Sequence, residues 1–369
     1  LRDLSRRDFQ RILIIKPSSF GDVIHALPVL SGLRREFPTA KISWLVSTSC
    51  AGLLEGHPAL DDLIPFDRKR YGQIGRSLPV TAAFLEFVHA LRARQFDLVL
   101  DLQGLFRSGF FSLASGAPVR VGFASARELA WIFYTHRVVI PDREMHAVDR
   151  NYLFARPLGF ADVPITFDLP VRASARAVVE QMLAREGIAP GRPYLLIAPG
   201  TRWETKRWPA DHFAAVARQA QLEHGLPIVL IGTSQEAEVA RQVAASAGGR
   251  IVNLTGKTTL AEVIALVAGA TFAVMHDSGP MHLATALGRP MVAIYGPTSP
   301  QRTGPYRRAE AIARLDLPCS PCYLKRLAEC PHRHRCMHQL LPEVISAKVS
   351  QALSAGVTSS CHARLSPPC

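Results

Sequence analysis

Three turns in the sequence gather residue types able to handle a phosphorylated ligand. The first is Lys16-Pro-Ser-Ser-Phe-Gly-Asp22. Ser18 and Ser19 supply hydroxyls and Gly21 permits a tight turn. Asp22 brings a carboxylate to a helix start, where the helix dipole favours negative charge. One glycine stands where a dinucleotide fingerprint needs three, so that ligand is not indicated. Asp22 reads equally well as a plain helix cap. The second turn is Pro199-Gly-Thr-Arg-Trp-Glu-Thr-Lys-Arg-Trp-Pro209. Its Thr201, Arg202, Thr205, Lys206 and Arg207 can surround an anion at a helix N-terminus; the bland alternative is a solvated basic loop packed down by Trp203 and Trp208. The third is His276-Asp-Ser-Gly-Pro-Met-His282. Ser278 and Gly279 can turn backbone N–H groups toward a phosphate, with Asp277 and His282 at the same mouth. Taken alone, His282 reads as a hydrogen-bonded structural residue. No Asp-x-Asp sequence and no Walker loop occurs. Metal-bound nucleotide phosphates are therefore not suggested, and basic side chains with helix N-termini would neutralise the phosphates instead.

A fourth cluster is chemically different. Cys319, Cys322, Cys330 and Cys336 form a C-x2-C-x7-C-x5-C run, with His332, His334 and His338 beside them. Four thiolates at this density suit a tetrahedral structural zinc or iron. Two disulfides or four unligated thiols are the other readings. Cys50, Cys361 and Cys369 show no partner pattern.

The elements that must position these turns are short apolar runs alternating with helical stretches. Strands are expected at 11–16, 41–46, 96–102, 194–198, 227–232, 271–275 and 290–295, and helices at about 23–37, from Pro209 onward and at 260–269. Strands separated by helix-length segments indicate βαβ units and parallel sheet. Each phosphate-handling turn then follows a strand and precedes a helix, where ligands collect in such sheets. The pattern restarts in the second half, with a seam near 160–172 marked by Pro164 and Pro170. Two α/β domains in tandem are expected, 1–168 and 169–341, the second including the cysteine-rich loop 318–337. A C-terminal helix and loose tail are expected over 342–369, the tail from Ser354 onward.

Size and composition agree. The chain has 369 residues, 48% apolar and 20% charged, which excludes fibrous and disordered classes. Lys and Arg outnumber Asp and Glu by 43 to 30, a net charge of +13 that calls for an anionic partner. The longest greasy stretch, Leu260–Met275, is too short and mixed to span a bilayer. Basic Leu1–Arg11 lacks the apolar core of a signal peptide. A cytoplasmic protein, in peripheral contact with the inner face of the cytoplasmic membrane, is expected. A nucleic-acid-binding role is the alternative from another class; scattered basic residues and 8% aromatics speak against it.

Arg11-Ile-Leu-Ile-Ile-Lys-Pro-Ser-Ser-Phe-Gly-Asp-Val-Ile-His-Ala-Leu-Pro28 and Asp101-Leu-Gln-Gly-Leu-Phe-Arg-Ser108 resemble segments of the lipopolysaccharide heptosyltransferases, glycosyltransferase family 9. Lys206-Arg-Trp-Pro209, Asp277-Ser-Gly-Pro-Met-His-Leu283 and Tyr295-Gly-Pro-Thr298 look like the family's donor-site motifs. The resemblance covers about residues 11–350. It implies a GT-B fold: two Rossmann-like α/β domains facing across a cleft. It also implies an inverting transfer of L-glycero-D-manno-heptose from ADP-heptose to the Kdo/heptose inner core of lipopolysaccharide, with no metal needed for catalysis. Asp22 falls on the family's catalytic acidic position and Lys206 on the position contacting donor phosphate. Thr201, Asp277, Ser278, Gly279 and His282 fall on donor-binding positions, and Glu236 is a looser match for the ribose. On the acceptor side the resemblance places Ser19, Gly21, Arg127, His146 and Arg150, with Arg68, Lys69 and Arg70 assisting, against Kdo carboxylates or lipid A phosphates. The implied partners are ADP-heptose, Kdo-lipid A or its heptosylated form, and the inner membrane leaflet, with no nucleic acid. The donor loop and cysteine run look like the type II enzymes and the acceptor segments like type I. A family 9 enzyme using another nucleotide sugar or acceptor is the same-fold alternative.

Overall fold

The computed structural model describes residues 4–362, which divide into two compact units between Pro170 and Val171. In the first unit six strands form one parallel sheet: β1 (Arg11–Ile15), β2 (Lys41–Ser47), β3 (Asp62–Phe66), β4 (Leu98–Asp101), β5 (Val119–Phe123) and β6 (His136–Val138). Their order is β3-β2-β1-β4-β5-β6, the doubly wound Rossmann arrangement. Ile15 lies opposite Leu45 on one side and Asp101 on the other. The helices are α1 (Phe20–Ile24), α2 (Leu27–Glu36), α3 (Leu78–Ala93), α4 (Phe106–Ala114), α5 (Ala147–Tyr152) and α6 (Ala155–Leu158). Ile12–Ile15 are fully buried, as expected for a central strand covered on both faces. Leu13 and Ile15 pack with Val99, Phe66 and Phe111 under α3 and α4.

The second unit repeats the plan. It contains α7 (Ala173–Arg185), β7 (Leu195–Ala198), α8 (Ala210–His224), β8 (Ile228–Leu230), α9 (Ala237–Ala247) and β9 (Ile251–Asn253). There follow α10 (Leu260–Gly269), β10 (Phe272–His276), α11 (Gly279–Ala286), β11 (Met291–Ile294), α12 (Pro300–Thr303), β12 (Ile312–Ala313), α13 (Arg335–His338) and α14 (Pro342–His362). The strand order β12-β11-β10-β7-β8-β9 is the first unit's order again. Trp208 and Phe213 anchor its core, joined by Ile345 and Val349 of α14 and by Met337 and Leu340 just before it. Trp208 Nε1 donates to the Leu340 carbonyl at 2.8 Å.

Two local expectations change. The helix expected over 23–37 is two helices, because Pro28 at the start of α2 lacks the N–H that would continue α1. The expected loose tail begins inside α14, which continues through His362; the end of that tail, with Cys369, lies outside the described residues. Among the described residues, no helix is long and apolar enough to cross a membrane.

Candidate functional site

Both units present their candidate turns where the strand order reverses, beside β1 and β4 in one and β7 and β10 in the other. In the first unit the chain leaves β1 and enters α1 at Phe20, so Asp22 stands third in the helix with Ser19 preceding it. The Ser19 N–H and hydroxyl both donate to Asp22 Oδ2, at 2.9 and 2.7 Å. The pair fixes the carboxylate's direction at the mouth of the turn. Gly21 is buried beside it.

Lys16, the last residue before the turn, is buried, and its Nζ donates to the Leu102 carbonyl at 2.7 Å. Burial lowers its pKa; Asp22 and Asp101 pull it back up, while Arg150 and Arg127 press it further down. Asp22, Arg127 and Arg150, distant in sequence, therefore act on one buried ammonium. Asp101 is itself fully buried at the end of β4. It accepts from Gln103 N, Gly104 N and the Tyr134 hydroxyl at 2.9, 3.1 and 2.6 Å. Burial raises its pKa against the pull of those hydrogen bonds. The Arg127 N–H donates to the Gly104 carbonyl, and Glu128 Oε2 accepts from Phe106 N at the start of α4. That ties segment 125–128 to the Asp101–Ser108 segment. His146 caps α5, its Nδ1 accepting from Val148 N at 3.1 Å. Its ring stands edge-on to His25 at 5.5 Å, and Asn151 donates to the His25 carbonyl. This docks α5, carrying Arg150, against the end of α1. Arg68, Lys69 and Arg70 lie exposed ahead of α3, where Asp67 Oδ1 accepts from the N–H groups of Lys69 and Arg70.

In the second unit Lys206 and Asp277 meet directly. Lys206 Nζ donates to Asp277 Oδ2 at 2.6 Å and to its carbonyl at 3.2 Å. Both side chains are largely buried. The Thr298 hydroxyl donates to the same Oδ2 at 2.7 Å. An ammonium carries three N–H donors, so Asp277 orients Lys206 without exhausting it. Trp203 lies under both Lys206 and Lys325, with ammonium-to-centroid distances of 4.6 and 5.1 Å, a cation–π arrangement that concentrates positive charge at the turn. Ser278 precedes α11 in extended conformation and Gly279 opens it. Thr201 and His282 are buried. Glu236 Oε2 accepts from the Thr233 N–H and hydroxyl at 2.7 and 3.0 Å. Its side chain crosses so close to Gly200 that a Cβ there would lie 2.4 Å from Glu236 Cδ, so only glycine fits beside Thr201.

The cysteine-rich loop 318–337 braces the second turn. The Thr205 hydroxyl donates to the Leu324 carbonyl at 2.5 Å, and the Thr205 carbonyl is 2.6 Å from His334 Nε2. Leu327 N donates to Glu204 at 3.0 Å. The expectation of structural zinc or iron on Cys319, Cys322, Cys330 and Cys336 is not met. Among the described residues, no three His, Cys, Asp or Glu side chains form a group able to hold a metal ion. The four cysteines are free thiols around a small cavity. Burial, then the nearby Cys322, Cys330 and Cys319, push the Cys336 thiol up to about 11. Hydrogen bonds to Glu204 and Thr205 hold this loop against the second turn.

Lys16, Thr298 and His276 contribute to the site beyond the residues singled out in the sequence. Position before a turn marked Lys16, but its burial comes from the sheet. Thr298 lies 21 positions from Asp277 and carried no signal beyond its motif. His276 is fully buried, and its Nε2 accepts from Trp208 N at 2.8 Å. Burial lowers its pKa to about 3, so it is a neutral strut between β10 and the loop after β7. An unfolded histidine binds a proton near pH 6.5 while this one does not. The stability gained is complete above pH 6.5 and is lost as the pH falls from there toward 3. The expected loss is about 1.4 kcal/mol per pH unit in that window. Urea unfolding at pH 7 and pH 5 measures it, and His276→Gln should show a visibly smaller loss than the parent.

The comparisons with known proteins agree on one family. A family model described as glycosyltransferase family 9 (heptosyltransferase) matches residues 84–331. The lipopolysaccharide heptosyltransferase 1 of Pseudomonas aeruginosa is 34% identical over 323 residues, covering 85% of this chain and 86% of the relative. The Escherichia coli heptosyltransferase WaaC, solved with ADP, superposes with a TM-score of 0.73 at 28% identity over 93% of this chain and 100% of that one. A glycosyltransferase family 9 structure from Veillonella parvula gives a TM-score of 0.81 at 23% identity over 95% and 99% of the two chains, a likeness of fold. The two Rossmann-type units are those of the GT-B fold. A family match over more than half of the chain, and a relative one-third identical over most of it, carry one conclusion: the chain belongs to glycosyltransferase family 9, the heptosyltransferase family.

Proposed function

We propose that this enzyme transfers a heptose from ADP-heptose to the Kdo region of the lipopolysaccharide inner core, inverting the anomeric centre, with Asp22 as general base. Inversion is a single displacement. The acceptor hydroxyl attacks C1 opposite the departing ADP, so one group must take its proton and another must neutralise the leaving diphosphate. Asp22 takes the proton and Lys206 meets the diphosphate. Thr201, Ser278, Gly279 and His282 line the donor, Glu236 holds the ribose, and Asp277 with Thr298 keeps Lys206 aimed.

The observation that carries this reading is the Ser19–Asp22 pair, which holds a carboxylate in the β1 turn near the buried Lys16, on which Arg127 and Arg150 also act. That setting suits an acceptor rich in carboxylates and phosphates, which Ser19, Gly21, Arg127, His146 and Arg150 would bind. The 34% likeness to a type 1 enzyme favours unheptosylated Kdo-lipid A as acceptor. The test is a thermal-shift screen of ADP, UDP, GDP and CMP sugars, followed by an ADP-release assay. Stabilisation by ADP-heptose, and ADP release only when a Kdo-bearing acceptor is added, are expected. Stabilisation by a UDP sugar with none by ADP-heptose would contradict the donor assignment.

A further inference from the structure

In the first unit α3, α4 and the turn at Ala130–Phe133 form one continuous layer over the sheet. Phe84 of α3 stacks on Phe110 of α4 at 6.1 Å, and Phe106 of α4 meets Phe133 of the turn at 5.2 Å. Phe66, Phe87 and Phe111 fill its inner side. The outer side is not the polar surface that a helix normally gives to water. Leu78, Ala82, Leu85 and His89 follow helical spacing along the outer face of α3, and all are exposed. Leu78 is 87% exposed and Leu85 is 61%. Ile74 before the helix, Phe106 on α4, and Trp131 and Ile132 on the turn extend the apolar surface.

Cations stand among these side chains. Between residues 68 and 137, eight Lys and Arg side chains are exposed against two carboxylates, Glu86 and Glu128. Arg137 lies over the Trp131 ring at 4.8 Å. Isolated exposed leucines need no explanation, but a coherent apolar layer set in excess positive charge does. A protein partner would satisfy the apolar part and a nucleic acid the charge. An anionic bilayer surface satisfies both, taking Leu, Ile and Trp at the acyl boundary and Lys and Arg at the headgroups.

We propose that the α3–α4–turn layer is a membrane-docking face for anionic phospholipid. The inference deepens the reading above, since an acceptor anchored in a bilayer must be met at its surface. The full chain should cosediment with vesicles of phosphatidylethanolamine and phosphatidylglycerol, release at high salt, and leave phosphatidylcholine vesicles unbound. A Leu78→Ser/Leu85→Ser double variant should lose about tenfold in vesicle affinity. Leu222→Ser, at an exposed leucine of the second unit, should bind like the parent. Both variants should retain parental near-ultraviolet circular dichroism and parental ADP release with a water-soluble Kdo acceptor.

Failure of the parent to bind phosphatidylglycerol vesicles, or equal binding by the double variant, overturns the docking face. So does a fall in oligomeric mass by light scattering in the double variant, which would give the face to a second copy of the chain. Loss of transfer to the soluble acceptor in the parent would overturn the heptosyl reading and leave the vesicle result standing.

Discussion

Asp22→Asn is expected to lower kcat by about 10²–10⁴-fold, the range for removing a positioned general base, with donor affinity changed less than about twofold. Asparagine keeps the size of the side chain, and its amide oxygen can still accept from the Ser19 N–H and hydroxyl that hold Asp22 Oδ2. The turn should therefore survive. What is lost is the ability to take the acceptor's proton. The competing reading, that Asp22 only supports the start of α1, predicts the reverse pattern. A cap is worth about 1 kcal/mol of stability and nothing in turnover. Steady-state kinetics with saturating donor, beside urea unfolding of the same two proteins, separate the two. A large fall in kcat with little change in stability supports the base; a stability loss with unchanged kcat removes it.

Lys206→Ala should produce the second large effect, in two quantities at once. Removing a cation from a developing diphosphate costs about 10²–10³-fold in kcat, the scale seen for single electrostatic donors. It also leaves Asp277, 6% exposed, as a buried carboxylate without its ammonium. Breaking a buried pair from one side destabilises by about 3–5 kcal/mol. The Thr298 hydroxyl remains on Asp277 and places the expected loss toward the lower end of that range. Lys206→Arg restores the charge but not the compact ammonium, so it should recover most of the stability and only part of the turnover. Kinetics below the unfolding transition keep the two effects distinct. Full activity in Lys206→Ala would remove the residue from the leaving-group role.

The central strands were legible because they are buried on both faces and read as unbroken apolar runs; Ile12–Ile15 and Leu195–Ala198 are such cases. The strands that went unread are β3, β5, β6, β9 and β12, four of them at sheet edges. Edge strands are short and mixed, and β3 even carries Pro65, tolerated where a backbone N–H need not pair. The three candidate turns were legible because glycine, serine and charged residues interrupt the apolar pattern where strand gives way to helix. What those residues touch was not. Nothing local says that Lys16 is buried within electrostatic reach of Arg127 and Arg150, that Thr298 donates to Asp277, or that His276 is held neutral by its surroundings. Those facts come from sheet order, which brings together segments from 21 to more than a hundred residues apart. The cysteine run misled for a related reason: sequence spacing shows that four sulfurs are near one another along the chain, but not whether, among the described residues, they form a group able to hold a metal ion.

The most direct test of the assigned chemistry is a side-by-side assay of the full chain with ADP-heptose and two acceptors, Kdo-lipid A and singly heptosylated Kdo-lipid A, reading ADP release and product mass. The expected result is one heptose added to Kdo-lipid A, little or none added to the heptosylated acceptor, and no ADP release without acceptor. Transfer to the heptosylated acceptor alone would overturn the acceptor assignment. Absence of transfer to either, in protein that ADP-heptose stabilises, would contradict heptosyl transfer to this core.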